Sequence, residues 1–560
     1  MKTFNRWLAL FFGILALAWP HIALAAWTRA DTHNFVFFSD GAPAELEHFA
    51  RDVERFDALL RRRFNVPRDA DPKKLTVYVL ASQSAVADIA GDKSGITAGF
   101  YLPNSEGSYI VINRNKKDDL FDLSGQEVLF HEYAHHFMFR HFTNAYPGWF
   151  VEGFAEFVAT ATIAEDGSST LGKPARYRTR NLITDNPIPI EMLLKNDRRK
   201  MTIDQTLQFY GRSWLLVHML STRPEYDGRL AEYLKAVSNG ASSVDAAKSV
   251  FGDLRVLDKA LYSYVSAKLS YISSTRLLTV DGDVKLTALD PLASRLVGFR
   301  LQRRAGGQLD QAESALKSLT SQYPNNAEAW AELAITEMAI SGRAAAKAER
   351  ERRDTERKAK EKEESKSKSK DKNNSDDDIE VVALRDDDTA DMHAKDDLAE
   401  AAADRALAID PNNLLANVVK GEAATWRLRQ SRATSPAAWS AARAWYRKAN
   451  AVDHDDAMSA LGWFMSFKRQ GKVPPESAVA GLEAAFSRAP EADDLRSALS
   501  LDLARRGRYD EAISMIKVIA FSPHGGTKGK ALLKKLEGMK AAAEAEAAIS
   551  APTNTAKPKG

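Results

Sequence analysis

The chain has 560 residues, a formal net charge of +3 and 27% charged residues, and it contains no cysteine. The length indicates more than one domain, and the near-neutral charge argues against nucleic acid as a partner. The absence of cysteine excludes disulfides and thiolate metal sites, so a metal here would be held by histidine and carboxylate. Each domain must therefore be large enough to be stabilised by its own core.

The first 25 residues have the form of a secretory signal peptide. Lys2 and Arg6 precede an apolar run, and residues 23–25 offer a small-residue cleavage site after Ala25. An uncleaved membrane anchor is the alternative, although the run is short for a spanning helix. No cysteine follows the cleavage site, which argues against a lipid anchor. We therefore expect a bacterial periplasmic protein with no stable membrane span after removal of the signal.

The segment after the signal predicts a mixed α+β domain. Residues 35–38 and 75–80 have the composition of strands, and residues 44–64 between them have the spacing of an amphipathic helix. Residues 95–101 and 108–112 then predict two further strands joined by a turn.

The most informative motif is His131-Glu132-Tyr133-Ala134-His135, an H-E-x-x-H pattern in a segment that predicts a helix beginning near Ser124. Two histidines four residues apart lie on one face of a helix, so both imidazoles can reach one metal ion. Glu132 then faces the open position of that metal, where a general base is needed. The alternative is an ordinary polar helix with two satisfied histidines.

A second predicted helix carries two carboxylates four residues apart, Glu152 and Glu156, within Trp149-Phe150-Val151-Glu152-Gly153-Phe154-Ala155-Glu156-Phe157. Together with H-E-x-x-H, this segment resembles the gluzincin metallopeptidases, the thermolysin-like and M1 aminopeptidase-like superfamily. Within that group it is most similar to small bacterial peptidase-MA-like domains. The resemblance covers residues 30–270 and is specific around residues 127–157.

The resemblance implies that His131, His135 and Glu152 hold Zn²⁺ and that Glu132 is the general base. Glu156 would orient a ligand histidine through its free ring N–H. Choosing Glu156 as the ligand in place of Glu152 is the alternative.

The same resemblance extends to Phe209-Tyr210-Gly211-Arg212-Ser213-Trp214. It implies that Tyr210 donates a hydrogen bond to the oxyanion of the tetrahedral intermediate. His218 is a second candidate for this role. The alternative is that Tyr210, Trp214 and His218 form a packing stripe.

In gluzincins the strand before the zinc helix is an edge strand to which an extended peptide can add, which the resemblance implies for the strands at residues 95–112. An ordinary core strand is the alternative. The sequence around residues 99–103 lacks the G-x-M-E-N motif of M1 aminopeptidases, which favours an endopeptidase.

The part after residue 286 resembles tetratricopeptide repeats. Its best local match is Gly507-Arg508-Tyr509-Asp510-Glu511-Ala512-Ile513, and Gly307, Ala312 and Pro324 have a similar spacing. Small residues let paired helices approach closely, and the proline ends the second helix. We predict five degenerate repeats between residues 291 and 526, with a non-repeat helical bundle as the alternative.

The charged tract of residues 344–396 predicts an insertion within one repeat. Its removal leaves 34 residues between positions 327 and 413, which is the tetratricopeptide period. The basic first half predicts a helix that continues to about Glu364. The acidic second half predicts disorder, either as a solvated excursion or as a binding tail. Residues 546–560 predict a disordered tail.

These patterns predict a gluzincin-type α+β metallopeptidase domain at residues 26–285, followed by an all-α tetratricopeptide-like solenoid at residues 286–545. The predicted function is peptide-bond hydrolysis by an exported zinc peptidase whose repeats recruit a protein substrate or partner. A scaffold with a structural or silent zinc domain is the alternative, and an envelope chaperone with protease activity is a third possibility. Glu132 is not a ligand, so its presence favours the enzyme.

Overall fold

A computed structural model describes residues 26–550 except residues 70, 118, 120, 143, 196–199, 279–281, 368–389 and 522–525. The predicted signal peptide, residues 551–560 and the acidic half of the charged tract up to residue 389 lie outside the described residues. Among the described helices, none has the length and apolar character needed to cross a bilayer.

Nine strands form two sheets in the described portion of the N-terminal part. They are β1 (Thr28–Asp31), β2 (Phe35–Ser39), β3 (Leu75–Leu80), β4 (Gly99–Leu102), β5 (Tyr109–Asn113), β6 (Thr162–Ile163), β7 (Ser169–Leu171), β8 (Ile272–Ser274) and β9 (Lys285–Ala288). The main sheet has the order β4-β5-β3-β2-β1-β9, in which β2, β3 and β5 are parallel and the other pairs are antiparallel. A small antiparallel sheet has the order β6-β7-β8.

Ten helices accompany these strands among the described residues. They are α1 (Pro43–Phe64), α2 (Gln83–Ala90), α3 (Gly125–His141), α4 (Gly148–Ala159), α5 (Thr179–Leu182), α6 (Ile190–Lys195), α7 (Ile203–Thr222), α8 (Arg229–Ser238), α9 (Ser243–Phe251) and α10 (Leu254–Tyr264). The predicted helix at residues 44–64 and the predicted strand at residues 75–80 correspond to α1 and β3. The H-E-x-x-H motif lies on α3, and the two carboxylates after it lie on α4.

The C-terminal part is a solenoid of consecutive helices. They are α11 (Pro291–Ala305), α12 (Leu309–Gln322), α13 (Ala327–Ser367), α14 (Ala390–Ile409), α15 (Leu414–Gln430), α16 (Pro436–Val452), α17 (Ala457–Arg469), α18 (Glu476–Arg488), α19 (Asp493–Arg505), α20 (Tyr509–Phe521) and α21 (Gly526–Ser550). Successive helices pack as five hairpins, from α11–α12 to α19–α20, followed by α21 within the described chain. This architecture is that of a helical repeat protein.

The two faces of the main sheet are covered by different helices. Because side chains alternate along a strand, Val77 and Ile110 point to one face, where they pack with the apolar side chains of α1 and α3. Tyr78 and Val111 point to the other face and pack with Leu301 of α11. The first helix of the solenoid therefore covers a face of the N-terminal sheet.

Two predicted domain boundaries are shifted. The N-terminal sheet continues beyond residue 285, because the backbone groups of β9 are satisfied by pairing with β1. The solenoid therefore begins at Pro291 rather than at residue 286. Residues 546–550, predicted as part of the tail, belong to α21, whose alanine-rich end has high helix propensity.

The strand prediction for residues 95–101 was too long, because only residues 99–102 form β4. The carboxylate of Asp92 accepts hydrogen bonds from the N–H groups of Ser94 and Thr97, at 2.8 and 3.0 Å, and holds this segment as a turn. The strand immediately before α3 is β5, which lies inside the sheet; the edge strand is β4.

Helices α4 and α7 cross closely at Gly153, where an added Cβ would lie 2.4 Å from the carbonyl oxygen of Ser213. We expect Gly153→Ala to lower the free energy of unfolding by about 1–3 kcal/mol because the helices must separate. Gly481→Ala is the matched control, since no atom lies within 4 Å of its added Cβ in α18. Urea denaturation followed by circular dichroism measures both, and equal effects would contradict the prediction.

Candidate metal centre

Helix α3 begins in a way that orients the H-E-x-x-H motif. Ser124 Oγ accepts a hydrogen bond from the N–H of Glu127 at 3.3 Å, and the Glu127 carboxylate accepts one from the N–H of Ser124 at 3.0 Å. This capping box holds the first turn of the helix. One and two turns later, His131 and His135 extend from the same face, with their Nε2 atoms 3.1 Å apart.

Glu152 on α4 adds a third donor atom to this pair. Its Oε2 lies 3.2 Å from His131 Nε2 and 3.4 Å from His135 Nε2. Ligands at the bond lengths of tetrahedral zinc, about 2.0–2.1 Å, have donor atoms about 3.3 Å apart. In the described part of the chain, this is the one group of three or more His, Cys, Asp or Glu side chains whose donor atoms converge in this way.

Glu156 lies one turn after Glu152 and contacts the other ring nitrogen of His131, with Oε1 3.4 Å from Nδ1. Arg178 donates to both oxygens of Glu156, at 2.5 and 3.1 Å. Glu152 therefore faces Nε2 of His131, whereas Glu156 faces Nδ1 and is held in turn by a guanidinium group. Such a contact fixes the orientation and tautomer of an imidazole ring.

The charges of the site shift two pKa values. Burial by itself lowers the pKa of His131, but the carboxylates of Glu152, Glu156 and Glu132 raise it to about 9. Burial raises the pKa of Glu132, against the opposing effect of His131 and His135. The Oε2 of Glu132 is buried and has no hydrogen-bond partner among the described residues. A buried carboxylate oxygen in this state can accept a proton.

His131 and Glu132 line a cleft with a volume of about 470 Å³. The polar lining also includes Glu156, Arg178 and Tyr210, and the apolar lining includes Ile96, Ala98, Phe100, Leu123, Val128 and Leu207. An apolar cleft with a few polar groups is typical of a site for an organic ligand.

Tyr210 on α7 lies beside the histidines of the H-E-x-x-H motif. Its ring centroid is 6.2 Å from that of His131, and the guanidinium carbon of Arg178 lies 5.0 Å from the same tyrosine ring. The structure thus brings Tyr210 together with Glu132 in one cleft.

His218, two turns further along α7, lies in different surroundings and is not part of the cleft lining. Its Nε2 lies 3.0 and 2.8 Å from the carbonyl oxygens of Gly172 and Ser270, and its Nδ1 lies 2.9 Å from Tyr264 Oη. Trp214 packs against the His218 ring at 5.2 Å. Burial lowers the pKa of His218. These contacts match the packing-stripe alternative for His218 and Trp214, and they place His218 outside the cleft in which the oxyanion role was predicted.

Two cleft residues, Tyr177 and Arg178, were not identified by sequence reasoning. Both lie in a short 3₁₀ turn, Arg176–Arg178, which carries no recognisable motif. Burial and the neighbouring Glu156 raise the pKa of Tyr177 well above its ordinary value. The sequence signal was the pair of carboxylates on one predicted helix, for which a neighbouring cation is expected, and that pair does not indicate which arginine supplies the cation.

No family model matches the chain, and no curated protein matches it. Among solved structures, the thermophilic TPR protein TTC0263 of Thermus thermophilus is similar at 17% identity with a TM-score of 0.30, over 44% of this chain and 98% of that chain. Yeast Tom70 is similar at 11% identity with a TM-score of 0.25, over 78% and 79%.

Arg178→Gln removes the cation beside Glu156, a carboxylate with no exposure to solvent. Breaking a buried ion pair from one side costs about 3–5 kcal/mol, so we expect a large drop in the urea midpoint. Arg178→Gln with Glu156→Gln should recover part of the loss, because neither charge remains.

Arg255→Gln is the control for this prediction, since Arg255 is 92% exposed and pairs with the exposed Asp253. Its effect on the urea midpoint should be small, because an exposed ion pair is screened by solvent. A double variant less stable than Arg178→Gln would contradict the assigned ion pair.

Proposed function

We propose that this chain is an exported, periplasmic zinc peptidase in which Glu132 is the general base. The observation that carries the proposal is the convergence of donor atoms from His131, His135 and Glu152 within 3.4 Å, beside the buried Glu132. Two imidazole nitrogens and one carboxylate oxygen form a donor set of catalytic zinc, with a fourth position left for water or substrate.

In this proposal Glu152 is the third ligand, because its Oε2 lies near Nε2 of both histidines. Glu156 orients His131 through Nδ1, and Arg178 holds Glu156 in place. A carboxylate that holds the imidazole from the side away from the metal also makes the imidazole a stronger ligand.

Zinc in this site supplies Lewis acidity, which makes water a better nucleophile near neutral pH and polarises a carbonyl group. Glu132 accepts the proton of the attacking water on its buried carboxylate. The raised pKa of Glu132 suits it to hold this proton and to return it to the leaving amine. Tyr210 donates a hydrogen bond to the carbonyl oxygen of the substrate as negative charge develops.

The substrate class in this proposal is a protein or peptide, bound along the apolar lining of the cleft. The missing M1 amine-binding motif favours an endopeptidase. The helical repeats offer an extended surface to a protein substrate or partner.

A protein-binding scaffold is the second candidate function, and the observation that favours it is the solenoid of residues 291–550. Repeat solenoids commonly bind proteins along their extended faces. The two candidates differ in their dependence on Glu132, because a scaffold does not use a general base.

Glu132→Gln should retain one zinc per chain and reduce cleavage of casein by about a thousandfold, because the ligands remain and the base is lost. His135→Ala should lose the metal. Metal analysis of the purified mature protein, with casein cleavage in parallel, measures both effects. Glu191→Gln, on the exposed face of α6, is the control and should match the wild type in both measurements. A wild type without zinc, or a Glu132→Gln variant with full activity, would refute the proposal.

Zinc affinity should rise with pH. In the metal-free chain the pKa of His131 is raised to about 9, so below that pH a proton must leave before zinc binds. We expect the apparent affinity to increase by about tenfold per pH unit near neutral pH and to level off above the pKa. Chelator competition, corrected for protonation of the chelator, measures it.

The same proton stabilises the metal-free fold. Because the folded pKa is raised from 6.5, this contribution is complete below pH 6.5 and is lost as the pH rises through about 9. For the measurement of zinc binding, an affinity for zinc that does not change with pH would contradict the carboxylate environment assigned to His131.

A further inference from the structure

The turn between β4 and β5, residues 103–108, is held on one side by two arginines of α11. Arg303 donates through both terminal nitrogens to the Glu106 carboxylate, at 2.5 and 2.8 Å. Arg304 donates to the carbonyl oxygen of Gly107 and lies over the ring of Tyr109, 4.3 Å from its centroid. Although burial alone would raise the pKa of Glu106, the arginines lower it to about 2. At neutral pH the Glu106 carboxylate is therefore an anion, and it binds the turn to the two arginines of α11.

The other side of the same turn faces two carboxylates at the start of α19. Asp494 accepts hydrogen bonds from the N–H and the Oγ of Ser105, at 3.1 and 2.5 Å. Glu491 accepts one from Ser108 Oγ at 3.1 Å. The turn thus presents its carboxylate to the arginines of α11 and its N–H and O–H donors to the carboxylates at the start of α19. Such paired charges specify one docking arrangement.

These polar contacts surround a packed interface. Val297 and Leu301 of α11 are buried in the same cluster as Tyr78 and Tyr109 of the sheet. At Gly307, between α11 and α12, an added Cβ would lie 2.6 Å from the carbonyl oxygen of Ile89. The first and fifth hairpins of the solenoid therefore contact the N-terminal part from two sides.

Strand β4 connects this interface to the candidate metal centre. As an edge strand it pairs only with β5 among the described strands, so its position depends on few backbone hydrogen bonds. At Gly99 the strand lies so close to α3 that an added Cβ would be 2.3 Å from Val128 Cγ1 and 3.4 Å from Glu132 Cγ. Tyr101 Oη lies 3.0 Å from His136 Nδ1. A displacement of β4 would therefore change the cleft beside Glu132.

The solenoid also contacts α3, the helix that carries the H-E-x-x-H motif, directly. Glu491 accepts a hydrogen bond from Arg140, in the last turn of α3, at 2.9 Å. The same arginine lies 3.1 Å from Asp71 and donates to the carbonyl oxygen of Arg488. One carboxylate of the solenoid, Glu491, thus joins the β4–β5 turn to α3.

We propose that the helical repeats hold β4 in place as a wall of the cleft, with Glu106 and Asp494 as positioning residues. The surface between α11 and α19 is filled by the chain's own turn, so a protein partner would use other parts of the solenoid. The effect on catalysis rests on the proposed peptidase function, whereas the clamp on the turn does not.

Hydrogen–deuterium exchange of the full-length mature protein tests the clamp. Glu106→Gln with Asp494→Asn keeps the size of both side chains and removes both charges. We expect exchange over residues 99–108 to become about tenfold faster, because charged hydrogen bonds that hold the turn are weakened. Exchange in β2 and β3 should not change. Glu476→Gln, at an 86% exposed carboxylate that pairs with Arg506 in the solenoid, is the matched control and should behave as wild type.

Catalysis provides the second readout. With fluorescein-labelled casein, the double variant should raise KM several-fold and leave zinc content unchanged, because β4 lines the cleft and supplies none of the proposed metal ligands. Asp494→Glu, which keeps the charge, should restore much of the protection that Asp494→Asn removes. Glu106→Gln and Asp494→Asn are also measured singly, so that a double variant that fails to fold does not prevent the test.

Unchanged exchange over residues 99–108 in the folded variants would overturn the clamp, whatever the peptidase result. Faster exchange with an unchanged KM would overturn the positioning role of Glu106 and Asp494. A wild type without zinc or casein cleavage would refute the proposed function, and the exchange measurement would still decide the clamp.

Discussion

Two carboxylates without solvent exposure, Glu152 and Glu156, impose the main constraint on the N-terminal part of this protein. An ionised carboxylate in the interior is destabilising by several kcal/mol unless positive or hydrogen-bonding groups surround it. Helix α3 supplies the two imidazoles, and the turn before α5 supplies Arg178. The positions of α3, α4 and α7 relative to one another follow from this requirement, together with the close approach that Gly153 allows.

The same constraint gives the two carboxylates distinct positions around His131. Because Glu152 is held near Nε2 of both histidines and Glu156 near Nδ1 of His131, the two nitrogens of the His131 ring face different carboxylates. Glu132 lies in the same cleft without a hydrogen-bond partner for one buried oxygen among the described residues. In the proposed function this oxygen accepts the proton of the attacking water.

The repeats and the sheet are structurally interdependent. Alternation along β3 and β5 leaves an apolar sheet face that contains Tyr78 and Val111, and α11 covers it. Separating the two parts would expose this face, which costs about 25 cal/mol for each Å² of apolar surface. The repeats are therefore part of the environment of the cleft. The predicted boundary at residue 285 falls at the start of β9, which pairs with β1 of the main sheet.

Local patterns determined much of this protein. The H-E-x-x-H spacing placed His131 and His135 on one helix face, the Ser124 cap marked where α3 begins, and the repeat spacing predicted the helical hairpins after residue 291. These features depend on interactions within a few residues or on a fixed period, so the sequence is sufficient to predict them. The tertiary structure alone decided which arginine neutralises Glu156, that His218 packs outside the cleft, and that α11 and α19 hold the β4–β5 turn. Such contacts join residues separated by tens to hundreds of positions, and no local pattern specifies which of many similar side chains will meet.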